Sequence, residues 1–107
     1  MEKVSFINLT PHKIFEVNTG LEIEPSGKIA RVAVQYTEVD RIENIPLYKA
    51  EYGSVENLPA PTPNVIYIVS GMVKAHPDVV NRKDVVAPGN LVRDEEGKPV
   101  GCDGFKL

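Results

Sequence analysis

Short apolar segments separated by turn residues run along most of the chain. Residues 30–36 alternate, with Ala, Val, Val and Tyr on one side, as in a strand that covers a core with one face. Residues 65–69, VIYIV, are continuously apolar, which is typical of a central strand buried on both faces. Residues 4–9 and 13–17 predict two more strands, joined as a hairpin by Thr-Pro-His.

The remaining segments carry weaker or more local signals. Residues 37–50 fit neither the helical nor the strand period, and Pro46 argues against a central strand there. The Pro-rich residues 52–63 predict an ordered surface loop. Ser70 is a candidate N-cap for a short helix. Residues 94–97, Asp-Glu-Glu-Gly, predict the type I turn of a C-terminal hairpin.

These elements together predict a mainly β (α+β) fold. We expect a single compact twisted sheet or partly closed barrel with one or two short helices, because many short strands must protect their edges. The length of 107 residues predicts one domain over residues 1–107.

The composition indicates the class of protein and the cellular compartment that we expect. The apolar share of 42% and the charged share of 25% are typical of a soluble globular protein. No apolar run has the length of a membrane span, and the first residues do not resemble a signal peptide. Cys102 is the single cysteine, so an internal disulfide is excluded. We therefore expect a cytoplasmic protein without membrane contact.

The charge balance argues against nucleic acid as a partner. The net charge is −3, there is no Trp, and seven aromatic residues supply few stacking surfaces. The sequence still allows a local basic patch on the folded surface, because five basic side chains could meet there: Arg31, Arg41, Arg82, Lys83 and Arg93.

The segment NLTPH places a histidine directly after a proline turn. His12, with Asn8 and Thr10 nearby, could bind an anion, and His12 could act as a general base. The alternative is that Thr10 and His12 only satisfy backbone groups of the turn, as such side chains commonly do in loops.

Two further groups are candidates for binding an anion. Ser70 follows the central strand and precedes Gly71, where free backbone N–H groups could face a phosphate, although an ordinary N-cap explains Ser70 equally well. Arg82 could bind a charged ligand by bidentate contacts, or pair locally with Asp84. Because an acidic chain must gather cations locally to hold an anion, we expect Arg31 or Arg82 to reach the same ligand as His12.

No cofactor and no metal are predicted. The imidazole and thiol groups are limited to His12, His76 and Cys102, whose spacing matches no zinc pattern. Catalysis by Cys102 would need one of the histidines close by, and its GCDG surroundings match no family signature. No catalytic residue is assigned.

Three blocks of sequence carry a resemblance that covers nearly the whole chain. They are FINLTPHKI near the start, YGSVENLPAP and VIYIVS in the middle, and RKDVVAPGNLVRDEEGKPVG near the end. In their order they resemble a family of small, mostly uncharacterised bacteriophage and bacterial proteins with an N-terminal NLTPH-type motif. The resemblance implies a phage or prophage origin, and thus the host cytoplasm, and it supplies no reaction.

Three functions follow as hypotheses. The first is non-catalytic binding of a small anionic ligand such as a nucleotide, which would sequester a signal and oppose host defence. The second is a protein-interaction or structural phage protein, and a homo-oligomer is left open. The third is a small hydrolase or transferase with His12 as base. A pocket lined by His12, Arg31, Ser70 and Arg82 would favour the first, a flat apolar patch without a cleft the second, and an imidazole that is held by a carboxylate and faces a cleft the third.

Overall fold

Eight strands and one short helix make up residues 3–107, the part of the chain that the structure, a computed structural model, describes. In chain order they are β1 (Ser5–Asn8), β2 (Ile14–Glu16), β3 (Leu21–Ile23), β4 (Arg31–Ile42), β5 (Ile45–Glu56), β6 (Val65–Ile68), α1 (Gly71–Lys74), β7 (Val85–Arg93) and β8 (Pro99–Lys106). The prediction of a mainly β chain is confirmed. None of the helical structure in this range has the length or apolar character needed to cross a bilayer.

Six of the strands form one sheet in the order β1-β6-β7-β8-β2-β3. Strands β1, β6 and β7 are mutually parallel, and β7 and β8 form an antiparallel hairpin. The two ends of the sheet approach each other, because Asn8 at the end of β1 bridges to Pro25 just after β3. The Ser26 amide also donates to the Asn8 carbonyl at 2.9 Å. The sheet is therefore a nearly closed barrel, as predicted.

The predicted hairpin between the first two strands is wrong. β1 pairs in parallel with β6, from Ser5 opposite Val65 to Asn8 opposite Ile68. β2 pairs instead with β3 and with β8. The reason is that β6 is apolar on both faces and needs a neighbour on each side, and the local alternation of β1 carries no information about which strand it joins.

The core lies on both faces of β6, as the apolar run VIYIV predicts. Tyr67 and Val69 belong to one cluster of buried side chains, packed with Leu9 and Val85. Ile68 belongs to a second cluster on the opposite face. Ile68 and Val69 are both 0% exposed. Because neighbouring residues of the strand bury opposite faces, this segment organises the whole barrel.

The short helix and the last hairpin form as their sequences predict. The Ser70 hydroxyl accepts from the Val73 amide at 3.4 Å and caps α1. In the turn between β7 and β8, the Gly97 amide donates to the Asp94 carbonyl at 3.0 Å. Gly97 has a φ of 82°, a conformation that a side chain would strain.

Strands β4 and β5 leave the barrel as a separate two-stranded hairpin, here called the arm. Each strand has 12 residues, and the Glu43-Asn44 turn joins them with φ values of 48° and 68°. The arm gives the molecule extents of 60 × 40 × 23 Å and a radius of gyration of 17.1 Å. A compact chain of this length would have a radius of about 13 Å.

The arm is formed largely by the segments of the chain whose sequence pattern is indistinct. The undecided residues 37–50 form most of its outer part. The surface loop predicted over residues 52–63 is wrong in its first part, because residues 52–56 complete β5 by pairing with β4. At the base of the arm, Val32 and Val55 pack against the buried cluster around Tyr67.

Candidate functional site

The turn after β1 is held together by the side chain of Asn8. Its amide nitrogen donates to the His12 carbonyl at 2.7 Å and to the Ile23 carbonyl at 3.2 Å. Its oxygen accepts from the Thr10 amide at 2.9 Å and from the Thr10 hydroxyl at 2.6 Å. Asn8 is 1% exposed and Thr10 is 8% exposed. The polar atoms of both side chains are thus engaged within the turn, where they position the backbone.

His12 stands at the outer side of this turn. Its carbonyl oxygen is fixed by Asn8, whereas its side chain is exposed and makes no hydrogen bond within residues 3–107. The turn therefore fixes the point from which the imidazole extends and leaves both ring nitrogens available to a ligand.

His12 and Ser70 line the same groove, here called the His12 groove, of about 700 Å³. This volume lies in the range of small-molecule sites in proteins. The turn after β1, the start of α1 and the β7–β8 hairpin all contribute to its walls. Its lining comprises Thr10, Pro11, His12, Lys13, Ile14, Phe15, Ser70, Gly71, Pro88, Leu91, Pro99, Val100, Gly101 and Cys102.

The walls of the His12 groove are mainly apolar. Leu91 is 56% exposed and Val100 is 45% exposed, so their side chains offer surface that a ligand could cover. The Ser70 hydroxyl accepts from Val73 and keeps its own hydrogen for donation. Lys13 adds little free charge, since its ammonium pairs with Glu22 at 3.3 Å and Glu24 at 3.5 Å.

The two arginines predicted to reach the ligand lie outside the lining of the groove. Arg82 binds Asp84 through two hydrogen bonds of 3.0 and 2.6 Å, and it also donates to the Pro59 carbonyl at 3.1 Å. This pairing lowers the pKa of the Asp84 carboxyl. Arg31 lies at the base of the arm, opposite Glu56. The structure thus brings together Asn8, Thr10, His12 and Ser70, and places Arg31 and Arg82 elsewhere.

Glu16 is a buried carboxylate that the sequence analysis missed. It is 5% exposed and accepts from the amides of Gly104 and Thr19, both at 2.9 Å, and from the Thr19 hydroxyl and the Asn18 side chain. The hydrogen bond from Gly104 is the main reason that the pKa of Glu16 falls to about 2. A signal exists in the sequence: Glu16 follows Ile14 on the buried side of the strand and precedes an Asn-Thr-Gly turn.

Lys74 is a second buried ionisable residue without a sequence prediction. It is 6% exposed, and its ammonium donates to the carbonyls of Val79 at 3.3 Å and Arg82 at 2.8 Å. Burial lowers the pKa of Lys74. Because both acceptors belong to the segment between α1 and β7, Lys74 holds that segment against the helix.

The imidazole that lies beside a carboxylate is that of His76. Its Nδ1 accepts from the Asp78 amide at 3.1 Å and lies 3.7 Å from the Asp78 carboxylate. Its Nε2 lies 2.8 Å from the Gly53 carbonyl, so it carries the proton and donates. Both ring nitrogens are engaged, and His76 connects the segment after α1 to the base of the arm.

The described part of the chain contains neither a reactive thiol nor a metal centre. Burial raises the pKa of the Cys102 thiol, which keeps it protonated at neutral pH. Among residues 3–107, no three His, Cys, Asp or Glu side chains are grouped so that they could hold a metal ion.

No protein-family model, curated protein or solved structure matches the chain in the comparisons with known proteins. The resemblance to small phage and bacterial proteins therefore stays a prediction.

Proposed function

We propose that this chain binds, without transforming it, a small ligand that has an apolar planar part and an anionic group, as a nucleotide has. The observation that carries the proposal is the His12 groove. It joins mainly apolar walls to two exposed polar side chains, His12 and Ser70. Pockets for small organic ligands commonly combine an apolar surface with a few polar groups that orient the ligand.

The two parts of the ligand bind to different parts of the groove. The planar part covers Phe15, Leu91 and Val100, and burying such surface is favourable by roughly 25 cal/mol per Å². The anionic group accepts hydrogen bonds from the His12 imidazole and the Ser70 hydroxyl. Since Lys13 is already paired with two glutamates, orientation of the ligand depends more on these hydrogen bonds than on bulk charge.

Three observations support binding rather than catalysis. No carboxylate within residues 3–107 hydrogen-bonds the His12 side chain, so nothing there orients it as a base. His76 has both ring nitrogens occupied, and the Cys102 thiol is protonated. A hydrolase or transferase that uses His12 therefore has less support than a binding protein.

The biological role in this proposal follows from the resemblance to phage proteins. A small phage-encoded chain in the host cytoplasm that holds a nucleotide-like signal would lower its free concentration. Such sequestration would oppose a host defence that depends on the signal, and it requires tight binding without turnover.

Titration calorimetry against a panel of nucleotides and sugar phosphates tests the proposal. His12→Ala should weaken binding of the best ligand by about 1–3 kcal/mol, the usual range for losing a hydrogen bond to a charged group. Lys28→Ala is the matched control, because Lys28 is an exposed basic residue that does not line the groove. Two results would contradict the proposal. One is equal affinity for wild type and His12→Ala, and the other is no binding by wild type across the panel.

A second function, protein–protein interaction, is favoured by the arm. One face of the arm exposes several large apolar side chains, among them Tyr36 at 68% and Tyr48 at 62%. Contiguous apolar surface of this kind marks interaction sites in soluble proteins.

A further inference from the structure

The His12 groove contains very little charge. Within residues 3–107, Lys13 is the single Lys, Arg, Asp or Glu residue in its lining. The other polar side chains there, Thr10, His12 and Ser70, carry no formal charge at pH 7 when the imidazole is counted as neutral. The charge that a ligand meets in the groove is therefore set by Lys13 and by the groups that pair with it.

Two glutamates approach Lys13 from the neighbouring strand. In the antiparallel pairing of β2 with β3, Glu22 lies directly opposite Phe15, which lines the groove, and directly opposite residues share one face of a sheet. Lys13 precedes Phe15 by two positions, so the alternation of a strand places it on the same face. Glu24 follows Glu22 by two positions and lies on that face for the same reason. The distances of 3.3 and 3.5 Å from the Lys13 ammonium to the two carboxylates agree with this arrangement.

These three charged groups leave this edge of the groove negative. One ammonium and two carboxylates carry a net charge of −1. The carboxylates stand just outside the lining, with side-chain exposures of 57% for Glu22 and 73% for Glu24. Their charges are therefore screened by salt, and they act over about 10 Å at 0.1 M ionic strength. An anion in the groove lies within the reach of this field.

Two other cations that could offset this charge are engaged elsewhere. The Lys98 ammonium lies 3.8 Å from the Glu96 carboxylate, and the Arg82 guanidinium is bound by Asp84. The groove thus offers an anion two hydrogen-bond donors, the imidazole and the serine hydroxyl, and no unpaired cation from its lining. Two donors can hold a group with one negative charge, whereas each further charge on the ligand is repelled by the carboxylates.

We infer that the His12 groove selects a ligand whose anionic group carries a single negative charge, as a phosphodiester or a carboxylate does, and that Glu22 and Glu24 determine this selection. The inference rests on the proposed function and adds the charge class of its ligand. The two glutamates act without touching the ligand, because they neutralise the Lys13 ammonium and leave one negative charge beside it. A phosphate monoester, with about two charges near neutral pH, or a polyphosphate is then bound more weakly.

Titration calorimetry with nucleotides of increasing charge tests the inference. For adenosine, guanosine, cytidine and uridine alike, the 3′,5′-cyclic monophosphate carries one charge, the 5′-monophosphate about two and the 5′-triphosphate more. In low-salt buffer without divalent cations, wild type should bind the cyclic form of the preferred nucleoside at least fivefold more tightly than its triphosphate. A triphosphate that binds as tightly as the cyclic form, or more tightly, would overturn the inference and leave the proposed function intact. No binding of any member would overturn both.

A pair of variants separates the local charge from the net charge of the chain. Glu22→Gln/Glu24→Gln frees the Lys13 ammonium and should abolish or reverse the preference, mainly by tightening the binding of the triphosphate. Glu43→Gln/Glu51→Gln removes the same charge from exposed positions on the arm and should leave the preference unchanged. An unchanged preference in the first variant, or an equal change in both, would contradict the assignment of the two glutamates.

A measurement on wild type alone distinguishes the charge of the ligand from its shape. Raising the ionic strength from about 0.01 M to about 1 M shortens the Debye length from roughly 30 Å to roughly 3 Å. The affinities for the cyclic form and the triphosphate should therefore converge to within twofold. A preference that persists unchanged in high salt would show that the groove selects the shape of the cyclic phosphate, and would also overturn the inference.

Discussion

The barrel and the arm both contain strand segments with a regular set of apolar residues, and the outcomes are opposite. In the barrel, the side chains of β6 are buried on both faces by neighbouring elements of the same chain. In the arm, Val34 and Tyr36 continue the alternation that starts at Val32, and yet Tyr36 is 68% exposed. The pattern thus specifies which face of a strand is apolar. Whether that face is covered within one molecule is decided by how many other elements lie next to it.

The largest expected difference between the two regions concerns truncation of an apolar side chain. Ile68→Ala removes a side chain that is 0% exposed and should lower the free energy of unfolding by about 2–5 kcal/mol. Tyr36→Ala in the arm should change the stability of the monomer by less than about 0.5 kcal/mol, as surface substitutions usually do. Urea unfolding followed by circular dichroism measures both.

The control for the barrel variant is Ile68→Val, which should cost about 0.5–1.5 kcal/mol because it leaves a smaller cavity. Equal losses for Ile68→Ala and Tyr36→Ala would mean that the arm is as well packed as the barrel, and the contrast between them would disappear.

The central strand and the turns were predictable from the sequence because their signals are local. VIYIV is apolar at every position, Ser70 follows it as a cap, and Gly97 occupies a turn position that favours glycine. Each of these features depends only on residues a few positions away along the chain. The mainly β fold follows from them, since no segment of comparable strength favours a long helix.

Strand pairing and the arm were not predictable in the same way. The partner of β1 lies about 60 residues away, and nothing in its own alternation identifies β6. In residues 37–50, an irregularity between Glu38 and Asp40 shifts the register and obscures the period. A pattern that changes face part-way along a strand resembles neither of the regular periods.

The candidate site was predictable in part for a related reason. His12 and Ser70 lie next to recognisable turns, so their neighbourhood could be anticipated, and the parallel pairing of β1 with β6 brings the two turns together. Arg31 or Arg82 was expected to reach the same ligand. Arg82 instead forms the local pair with Asp84 that the sequence offered as the alternative, whereas its hydrogen bond to the Pro59 carbonyl has no sign in the sequence. The hydrogen bond that chiefly lowers the pKa of Glu16 comes from the amide of Gly104, which lies 88 residues away in the sequence.

The second prediction concerns acid stability, in which a barrel carboxylate should differ from one on the arm. The pKa of Glu16 is lowered from 4.5 to about 2 in the folded chain, so the unfolded chain takes up its proton first as the pH falls. Glu16 therefore stabilises the fold above about pH 4.5, and this contribution is lost between pH 4.5 and 2. Thermal unfolding followed from pH 7 to pH 2 should show this loss in wild type.

Glu16→Gln should be less stable than wild type at pH 7 and should depend less on pH between 4.5 and 2. Glu51→Gln is the control, because Glu51 is exposed on the arm, opposite Gln35. If Glu16→Gln and wild type lost stability in parallel over this window, the acid response would have to come from other carboxylates.

The smallest expected effect lies where the two regions meet. The His76 Nε2 donates to the Gly53 carbonyl at 2.8 Å and so connects the segment after α1 to the base of the arm. His76→Ala should lower global stability by only about 0.5–1.5 kcal/mol, the usual net value of one hydrogen bond. Its main effect should be local: the β4–β5 amides near Gly53 should exchange hydrogen faster, while the amides of β6 keep their protection. His76→Gln keeps a donor and should restore part of the protection if its amide reaches the same carbonyl. Hydrogen exchange measured on both variants checks the idea, and equal acceleration in the arm and in β6 would show that His76 supports the barrel rather than the junction.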